Sequence, residues 1–243
     1  ERAARRHFVL RERLFQSTGG QVGVPAPLDY LSDLRMLLLG WNDPRELPAG
    51  AAPTDELWMV LRALTALHQS TMEDLPGFSC VDEIAVVERW AKTLANVATY
   101  PTETLRGLIS VWRGRKPPTQ RCVTIHRDFY SRQVLLGDNK ATLIDLDTLS
   151  TGDAAVDVGN FLAHRWLDAL QHAGAAAAER FTHQAREALV AYQTCGGSLR
   201  RTNLSWYWAS ALLRLGAVHA LRTTTGRYSG ILWALAAELI GAT

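Results

Sequence analysis

The hydrophobic pattern of the chain changes in its central part, residues 122–147, where a helical period gives way to short apolar runs. The runs at 122–125, 134–136 and 142–144 are each three or four residues long, and the polar turn 137–140 separates the last two. Runs of this kind predict short strands, and the turn predicts that the last two strands form a hairpin. Because helical segments surround this insert, the predicted fold class is α+β.

Helical spacing of apolar residues dominates the chain on both sides of the insert. It predicts helices over 1–16, 55–70, 81–100 and 102–112, and mostly helix from Asp153 onward with breaks at glycines. Between the first two helices, the runs 28–31 and 34–41 predict strands, and a proline-rich loop follows them. We place a domain boundary at that loop, between a small N-terminal part, residues 1–41, and a mostly helical part, residues 42–243.

The overall composition is that of an ordinary globular protein and excludes several classes. Lys and Arg number 26 against 24 Asp and Glu, and this balance predicts no binding to nucleic acid or to an anionic membrane surface. No apolar run approaches the ~18 to 20 residues that a membrane span requires. The three cysteines are an odd number without a paired spacing, so we expect reduced thiols and a cytoplasmic protein.

Polar residues that could carry chemistry lie in and around the predicted hairpin. His126 and Asp128 are in the loop before it, Gln133 follows Asp128 by five positions, and Asp145 and Asp147 come just after it. An aspartate in a tight loop can accept the proton of a hydroxyl group. An amide oxygen and a carboxylate that meet across the hairpin suit Mg²⁺, which prefers oxygen ligands. One base and two metal ligands are what phosphoryl transfer from a nucleotide requires.

The order of these motifs resembles that of the aminoglycoside phosphotransferase and choline kinase family, whose fold is protein-kinase-like. The matching segments are His126-Arg-Asp-Phe-Tyr-Ser-Arg-Gln133, Leu143-Ile-Asp145-Leu-Asp147, Gly152 to Phe161, and Leu64-Thr-Ala-Leu67-His68. The resemblance covers essentially the whole chain. It implies a mostly helical C-terminal lobe with an inserted β-hairpin, preceded by a partial N-terminal lobe.

The resemblance also implies roles for the residues of the central loop and hairpin. Asp128 would be the catalytic base that orients the substrate hydroxyl, and His126 would brace its loop. Asp157 would hold the same loop by accepting backbone N–H groups. Asp145 would be the principal metal carboxylate, and Gln133 would stand where the family usually has a metal-binding asparagine.

The remaining implied roles concern the nucleotide. Leu135 and Ile144 would form the floor under the adenine ring, and a hinge that includes Leu38, Leu39 and Trp41 would pair with its edge. The implied cofactors are ATP and Mg²⁺. The implied activity transfers the γ-phosphoryl group of ATP to a hydroxyl group of a small-molecule acceptor.

Several positions keep two interpretations. Asp147 is either a second metal ligand or a turn-capping residue. Glu12 is either the ion-pairing glutamate that the family places here, which would belong to the nucleotide site, or a plain solvated helix residue. His68 is interpreted as packed and hydrogen-bonded rather than catalytic. For 206–208, Trp-Tyr-Trp, we favour core packing over an aromatic cage for a cation.

The sequence departs from the family pattern in two ways. Arg127 replaces the glycine that is common in small-molecule kinases. Tyr130, by contrast, separates the chain from protein kinases, which have a lysine at this position. The glycine-rich loop and strand lysine that the family places before its first helix do not precede Glu1, and the first lysine is Lys92. We favour a chain that starts after those strands, because Asp128, Asp145 and Asp157 are all intact. The alternatives are a catalytically silent kinase-like module that binds a ligand or a partner protein, and a fragment that is inactive without the missing strands.

The charge of the last helices limits the acceptor. From residue 151 onward the sequence has six acids and eight arginines, whereas a polycationic aminoglycoside would favour acidic walls. A second possible acidic wall consists of Glu73, Asp74, Asp82, Glu83 and Glu88. We therefore disfavour an aminoglycoside acceptor and keep a neutral hydroxylated acceptor open.

Overall fold

The computed structural model describes residues 2–40, 55–70, 72–97, 102–222 and 226–241. Its helices are α1 (Arg2–Thr18), α2 (Asp55–Gln69), α3 (Cys80–Val97), α4 (Glu103–Gly114), α5 (Ala155–Ala173), α6 (Ala175–Thr194), α7 (Arg201–Arg222) and α8 (Ser229–Gly241). Its strands are β1 (Val22–Gly23), β2 (Pro27–Leu31), β3 (Met36–Leu39), β4 (Gly77–Phe78), β5 (Val123–Ile125), β6 (Val134–Leu136), β7 (Ala141–Leu143) and β8 (Ser150–Gly152). The predicted α+β fold class is confirmed.

The strands form two small three-stranded sheets and a separate hairpin. The predicted hairpin is β6 and β7, and β1 pairs in parallel with the other edge of β7. The second sheet has the order β4-β8-β5, while β2 and β3 pair with each other and with no other strand of the described residues. Between β5 and β8 the chain crosses from one three-stranded sheet to the other twice, from β5 to β6 and from β7 back to β8. These two crossings contain all the predicted catalytic and metal-binding residues.

Helix α7 is the centre of the helical part. It is buried around most of its surface and packs against α3, α5 and α8. Gly159 on α5 lets the two backbones approach closely, since a Cβ atom there would lie 2.7 Å from the backbone nitrogen of Trp208. Trp206 stacks on Trp112 with ring centroids 4.3 Å apart, and Trp208 is also buried, so core packing is confirmed for these two tryptophans.

The predicted element boundaries differ from the observed ones in a few places. β3 begins at Met36 rather than at residue 34, because residues 32–35 form a turn in which Arg35 has a φ of 50°. Three strands, β1, β4 and β8, were not predicted, since they are short and lack the apolar runs that marked β5, β6 and β7. The predicted hinge residue Trp41 and the last residues of the predicted helix 81–100 lie outside the described residues.

Candidate active site

Asp157, in the first turn of α5, holds the start of the loop from His126 to Gln133. Its Oδ2 atom accepts the His126 backbone N–H at 2.7 Å, and its Oδ1 atom accepts the Arg127 backbone N–H at 2.7 Å. The side chain of Asp157 is fully buried, and a buried carboxylate requires such charge-assisted hydrogen bonds. These are the backbone contacts that the sequence predicted for Asp157.

His68 on α2 extends this support away from the loop. Its Nε2 atom lies 3.1 Å from Asp157 Oδ2, and its Nδ1 atom lies 2.7 Å from the Tyr192 hydroxyl oxygen. Because a carboxylate only accepts, Nε2–H donates to Asp157, while Nδ1 shares a hydrogen bond with the Tyr192 hydroxyl group. Burial raises the pKa of Tyr192, which keeps its hydroxyl protonated. His68 is thus packed and hydrogen-bonded, as expected, but its link to Asp157 was not predicted.

His126 connects the two crossings through hydrogen bonds. Its Nε2–H donates to the backbone oxygen of Ile144 at 2.8 Å, and Thr148 Oγ1–H donates to the backbone oxygen of His126 at 2.6 Å. His126 is fully buried. This placement fits a residue that braces the loop, and it leaves His126 without an exposed atom that could contact a substrate.

Asp128, the predicted base, lies at the surface of a cavity of about 210 Å³. It is half-buried, and it has no hydrogen-bond partner among the residues that the structure describes. Burial raises the pKa of the nearby Tyr130, and the negative charges of Asp128 and Asp145 raise it further. The carboxylates of Asp128 and Asp145 therefore both lie close enough to the Tyr130 hydroxyl group to affect its pKa.

Gln133 and Asp145 are in direct contact at the base of the hairpin. Gln133 Nε2 donates to Asp145 Oδ2 at 2.9 Å, and Gln133 is buried while Asp145 is exposed. Asp145 has a φ of 56°, in the left-handed region. Asp147 is exposed on the short 3₁₀ turn Leu146–Thr148, and within the described residues no hydrogen bond joins it to Gln133 or Asp145.

One carboxylate and one amide in contact fit a hard divalent cation that keeps water or phosphate oxygens as its other ligands. The described residues contain no cluster of three or more His, Cys, Asp and Glu side chains placed to hold a metal ion. A metal at this place would therefore depend on the Gln133 amide oxygen and on substrate oxygens in addition to Asp145.

The residues predicted to contact the nucleotide lie on three different elements. Leu135 on β6 and Ile144 just after β7 are half-buried, and Leu38 and Leu39 on β3 are each 38% exposed. Glu12 is exposed on α1 and forms no ion pair with any other described residue. These apolar side chains are accessible, but the structure does not join them to Glu12.

Sequence reasoning missed several residues around Asp128. Asn160 on α5 donates its Nδ2–H to the backbone oxygen of Phe129 at 3.0 Å and accepts a hydrogen bond from Arg214 on α7. Asn160 follows Asp157 by three positions and therefore lies on the same face of the helix. That spacing was the available signal. No comparable signal marked Arg214, because α7 is far along the chain.

Within the described residues, no helix combines the length and the apolar content that crossing a bilayer requires.

Comparisons with known proteins identify the family and the fold. The model of the phosphotransferase enzyme family matches residues 1–192. No curated protein matches the chain. A choline/ethanolamine kinase family protein from Mesorhizobium loti is 16% identical with a TM-score of 0.63, over 98% of this chain and 78% of the other.

Two further solved structures are similar. Choline kinase from Streptococcus pneumoniae is 11% identical with a TM-score of 0.63, over 100% of this chain and 81% of the other. Spectinomycin phosphotransferase, solved with ADP and spectinomycin, is 11% identical with a TM-score of 0.57, over 98% of this chain and 80% of the other. At such identities the likeness shows a shared fold. With the family match over most of its length, the chain belongs to the phosphotransferase enzyme family and has its protein-kinase-like fold.

Proposed function

We propose that the protein transfers the γ-phosphoryl group of ATP to a hydroxyl group of a small molecule. The observation that carries this proposal is the arrangement around one loop. At its start, Asp128 borders a cavity, and at its end Gln133 lies 2.9 Å from Asp145. A base for an acceptor and oxygen ligands for a phosphate-bound metal are the two parts that phosphoryl transfer requires.

Asp128 has the properties of the residue that orients the acceptor hydroxyl. Its carboxylate borders the cavity and makes no hydrogen bond to any described residue, so it can accept one from a substrate. Its backbone position is fixed through the neighbouring Arg127 N–H and Asp157. A base held in this way is pre-organised, and pre-organisation accounts for much of the rate enhancement of phosphotransferases.

Gln133 and Asp145 would hold Mg²⁺ in this proposal, with Asp147 as a candidate second carboxylate. Mg²⁺, when bound, neutralises negative charge that develops on the phosphate oxygens. The Gln133 amide would turn its oxygen toward the ion and release its present hydrogen bond to Asp145. The ADP bound by spectinomycin phosphotransferase supports nucleotide use in this fold.

For the nucleotide we propose Leu135 and Ile144 as the floor under the base, and Leu38 and Leu39 as part of the hinge. All four are accessible apolar side chains next to the hairpin or on β3. Trp41 and Glu12 complete the set that the sequence predicted, without a described contact in support.

The test distinguishes the proposed role of Asp128 as the base from that of Asp145 as a metal ligand. Asp128→Asn should lower acceptor-dependent ADP release by about 10²- to 10⁴-fold, and should leave the Mg²⁺-dependent increase of Tm with ATP unchanged. Asp145→Asn should abolish that Mg²⁺-dependent increase. Asp33→Asn, in the exposed turn between β2 and β3, is the matched control and should change neither property.

These measurements should be made on the protein as its gene encodes it, with a set of small alcohols as acceptors. Full activity of Asp128→Asn would contradict the assignment of the base. If ATP and Mg²⁺ left the Tm of the wild type unchanged, the result would favour a catalytically silent module instead.

A further inference from the structure

The cavity beside Asp128 contains two guanidinium groups among aromatic rings. Arg127 comes from the loop and Arg214 from α7, while Phe78, Trp90 and Tyr207 supply the rings. Because Asp128 borders the same cavity, an acceptor whose hydroxyl group reached Asp128 would also contact these side chains. The chemistry of the cavity wall therefore bears on the class of acceptor.

The backbone of Arg127 is in a conformation that disfavours an arginine. Its φ of 72° lies in the left-handed region, where a residue with a Cβ atom is less stable than glycine by about 1–2 kcal/mol. The Asp157 carboxylate holds this conformation through the Arg127 N–H. Strain of this kind clusters at functional positions, where the side chain has a use that offsets it.

The side chain of Arg127 has charge that no described residue neutralises by an ion pair. Its guanidinium group lies over the Phe78 ring, 4.1 Å from the centroid, and its Nε–H is buried without a hydrogen-bond partner in the described part of the chain. Hydrogen bonds from Ser79 are the largest cause of the lowered pKa of Asp82, and the charge of Arg127 contributes less to that shift. Arg127 is therefore available to a ligand.

Arg214 also lines this cavity. It is half-buried and donates to Asn160 Oδ1, and no ion pair joins it to the other described residues. Burial, and then the charge of Arg214, lowers the pKa of the neighbouring His164 to about 3. His164 is thus neutral at physiological pH, so the positive charge at this wall comes from Arg214.

The two acids that line the cavity, Glu83 and Asp128, equal the two arginines in number but have other partners or roles. Glu83 is buried and accepts the Ser210 hydroxyl hydrogen at 2.6 Å. In the proposed function, Asp128 accepts a hydrogen bond from the acceptor hydroxyl group. Neither carboxylate forms an ion pair with Arg127 or Arg214 in the described structure.

We propose that Arg127 and Arg214 bind an anionic group of the acceptor, so that the acceptor is a small hydroxylated carboxylate or phosphate ester. The inference rests on the proposed function, because it places the acceptor in the cavity beside Asp128. Guanidinium groups recognise carboxylate and phosphate through paired hydrogen bonds. A cationic acceptor would meet two positive charges at the same place.

The test uses known probes with and without the anionic group. The anions are glycerate, gluconate, shikimate and glycerol phosphate, and the matched uncharged or cationic probes are the methyl esters of the three acids, glycerol and ethanolamine. We expect at least one anion to raise the Tm of the wild type and to support ADP release, and its matched probe to do neither. Carboxylates and the phosphate ester are separate arms, so the result distinguishes the two anionic groups.

Variants of the arginines supply the decisive readout. Arg127→Gly should keep or raise the Tm of the free protein, because it removes the backbone strain, yet it should bind the anion about 10- to 100-fold more weakly. Arg214→Gln should also weaken anion binding. Arg113→Gln, at an exposed ion pair with Glu88, is the control and should leave anion binding unchanged.

Three results would overturn the inference: silence of the wild type toward every anion, a preference for the ester or for ethanolamine, or full anion binding by Arg127→Gly. The binding arm needs no nucleotide. Failure of the arginine site therefore differs from failure of the proposed function, which would appear as a missing response to ATP and Mg²⁺.

Discussion

The loop that carries Asp128 and the hairpin of β2 and β3 represent two opposite kinds of structure in this protein. Behind the loop, Asp157, His68 and His126 are buried and hydrogen-bonded to one another or to backbone. In the hairpin, by contrast, Leu38 and Leu39 are each 38% exposed, and the two strands pair with no further strand in the part of the chain that the structure describes.

This difference separates residues that hold the site from residues that could contact a substrate. The polar atoms of the buried residues are mostly hydrogen-bonded within the protein, so few of them are available to a ligand. Asp128, Asp145 and Arg127 retain accessible or unpaired atoms. Stability should therefore be concentrated behind the loop, and changes in the hairpin should have little effect on folding.

Asp157→Ala should cause the largest loss of stability. It leaves the His126 N–H, the Arg127 N–H and His68 Nε2–H without their shared acceptor, and removal of one partner from a buried charged network costs about 3–5 kcal/mol. Urea unfolding, followed by circular dichroism, measures the free energy of unfolding. Asp33→Ala, in the hairpin turn, is the control and should change it by less than about 0.5 kcal/mol. Similar values for both variants would contradict the comparison.

His164 provides a test that depends on pH, because it is largely buried and its Nε2 atom has no hydrogen-bond partner among the described residues. Its pKa is lowered from 6.5 to about 3 by burial and then by Arg214, so the unfolded chain takes up a proton before the folded chain does. Stability from this group is present above pH 6.5 and is lost as the pH falls toward about 3, with a slope of up to about 1.4 kcal/mol per pH unit.

His164→Phe, which preserves an aromatic ring against Tyr130, should flatten this part of the pH profile. His172→Gln, at an exposed position of the same helix, should leave the profile as in the wild type. Unfolding curves at several pH values measure the effect. An unchanged slope in His164→Phe would show that another group titrates there.

Leu38→Thr should have the smallest effect. The side chain is partly exposed on a two-stranded hairpin, and threonine is also favourable in strands, so the free energy of unfolding should change by at most about 0.5 kcal/mol. Urea unfolding beside the Asp157→Ala variant measures both under the same conditions. A loss above about 1 kcal/mol would show that the hairpin is as tightly integrated as the loop.

The sequence predicted the parts of the site that are close together along the chain. Asp128, Gln133 and Asp145 were assigned to one region because the hairpin between them has a local pattern and a recognisable turn. The contact between Gln133 and Asp145 follows directly from the pairing of β6 with β7. The resemblance to a known family then supplied Asp157, whose carboxylate lies where it was expected.

The remaining parts could not be predicted because they depend on long-range packing. Tyr192 reaches His68 from α6, and Arg214 reaches the cavity from α7, and neither residue stands out in its own helical pattern. The sequence also marked Arg127 only as a departure from glycine. The reason that this departure matters, a left-handed backbone beside a cavity, is a property of the folded loop.

The parallel pairing of β1 with β7 has a consequence for how the protein folds. Val22 lies opposite Ala141, although α2, α3 and α4 stand between them in the chain. During synthesis on the ribosome, β1 emerges long before its partner and stays unpaired while the helices form from local contacts. The pairing that covers the edge of the hairpin beside Asp145 can therefore form only after α2, α3 and α4 have been synthesised. Helices α5 and α7, which border the cavity beside Asp128, are synthesised later still, so the hairpin side of the candidate site can be complete before its cavity side.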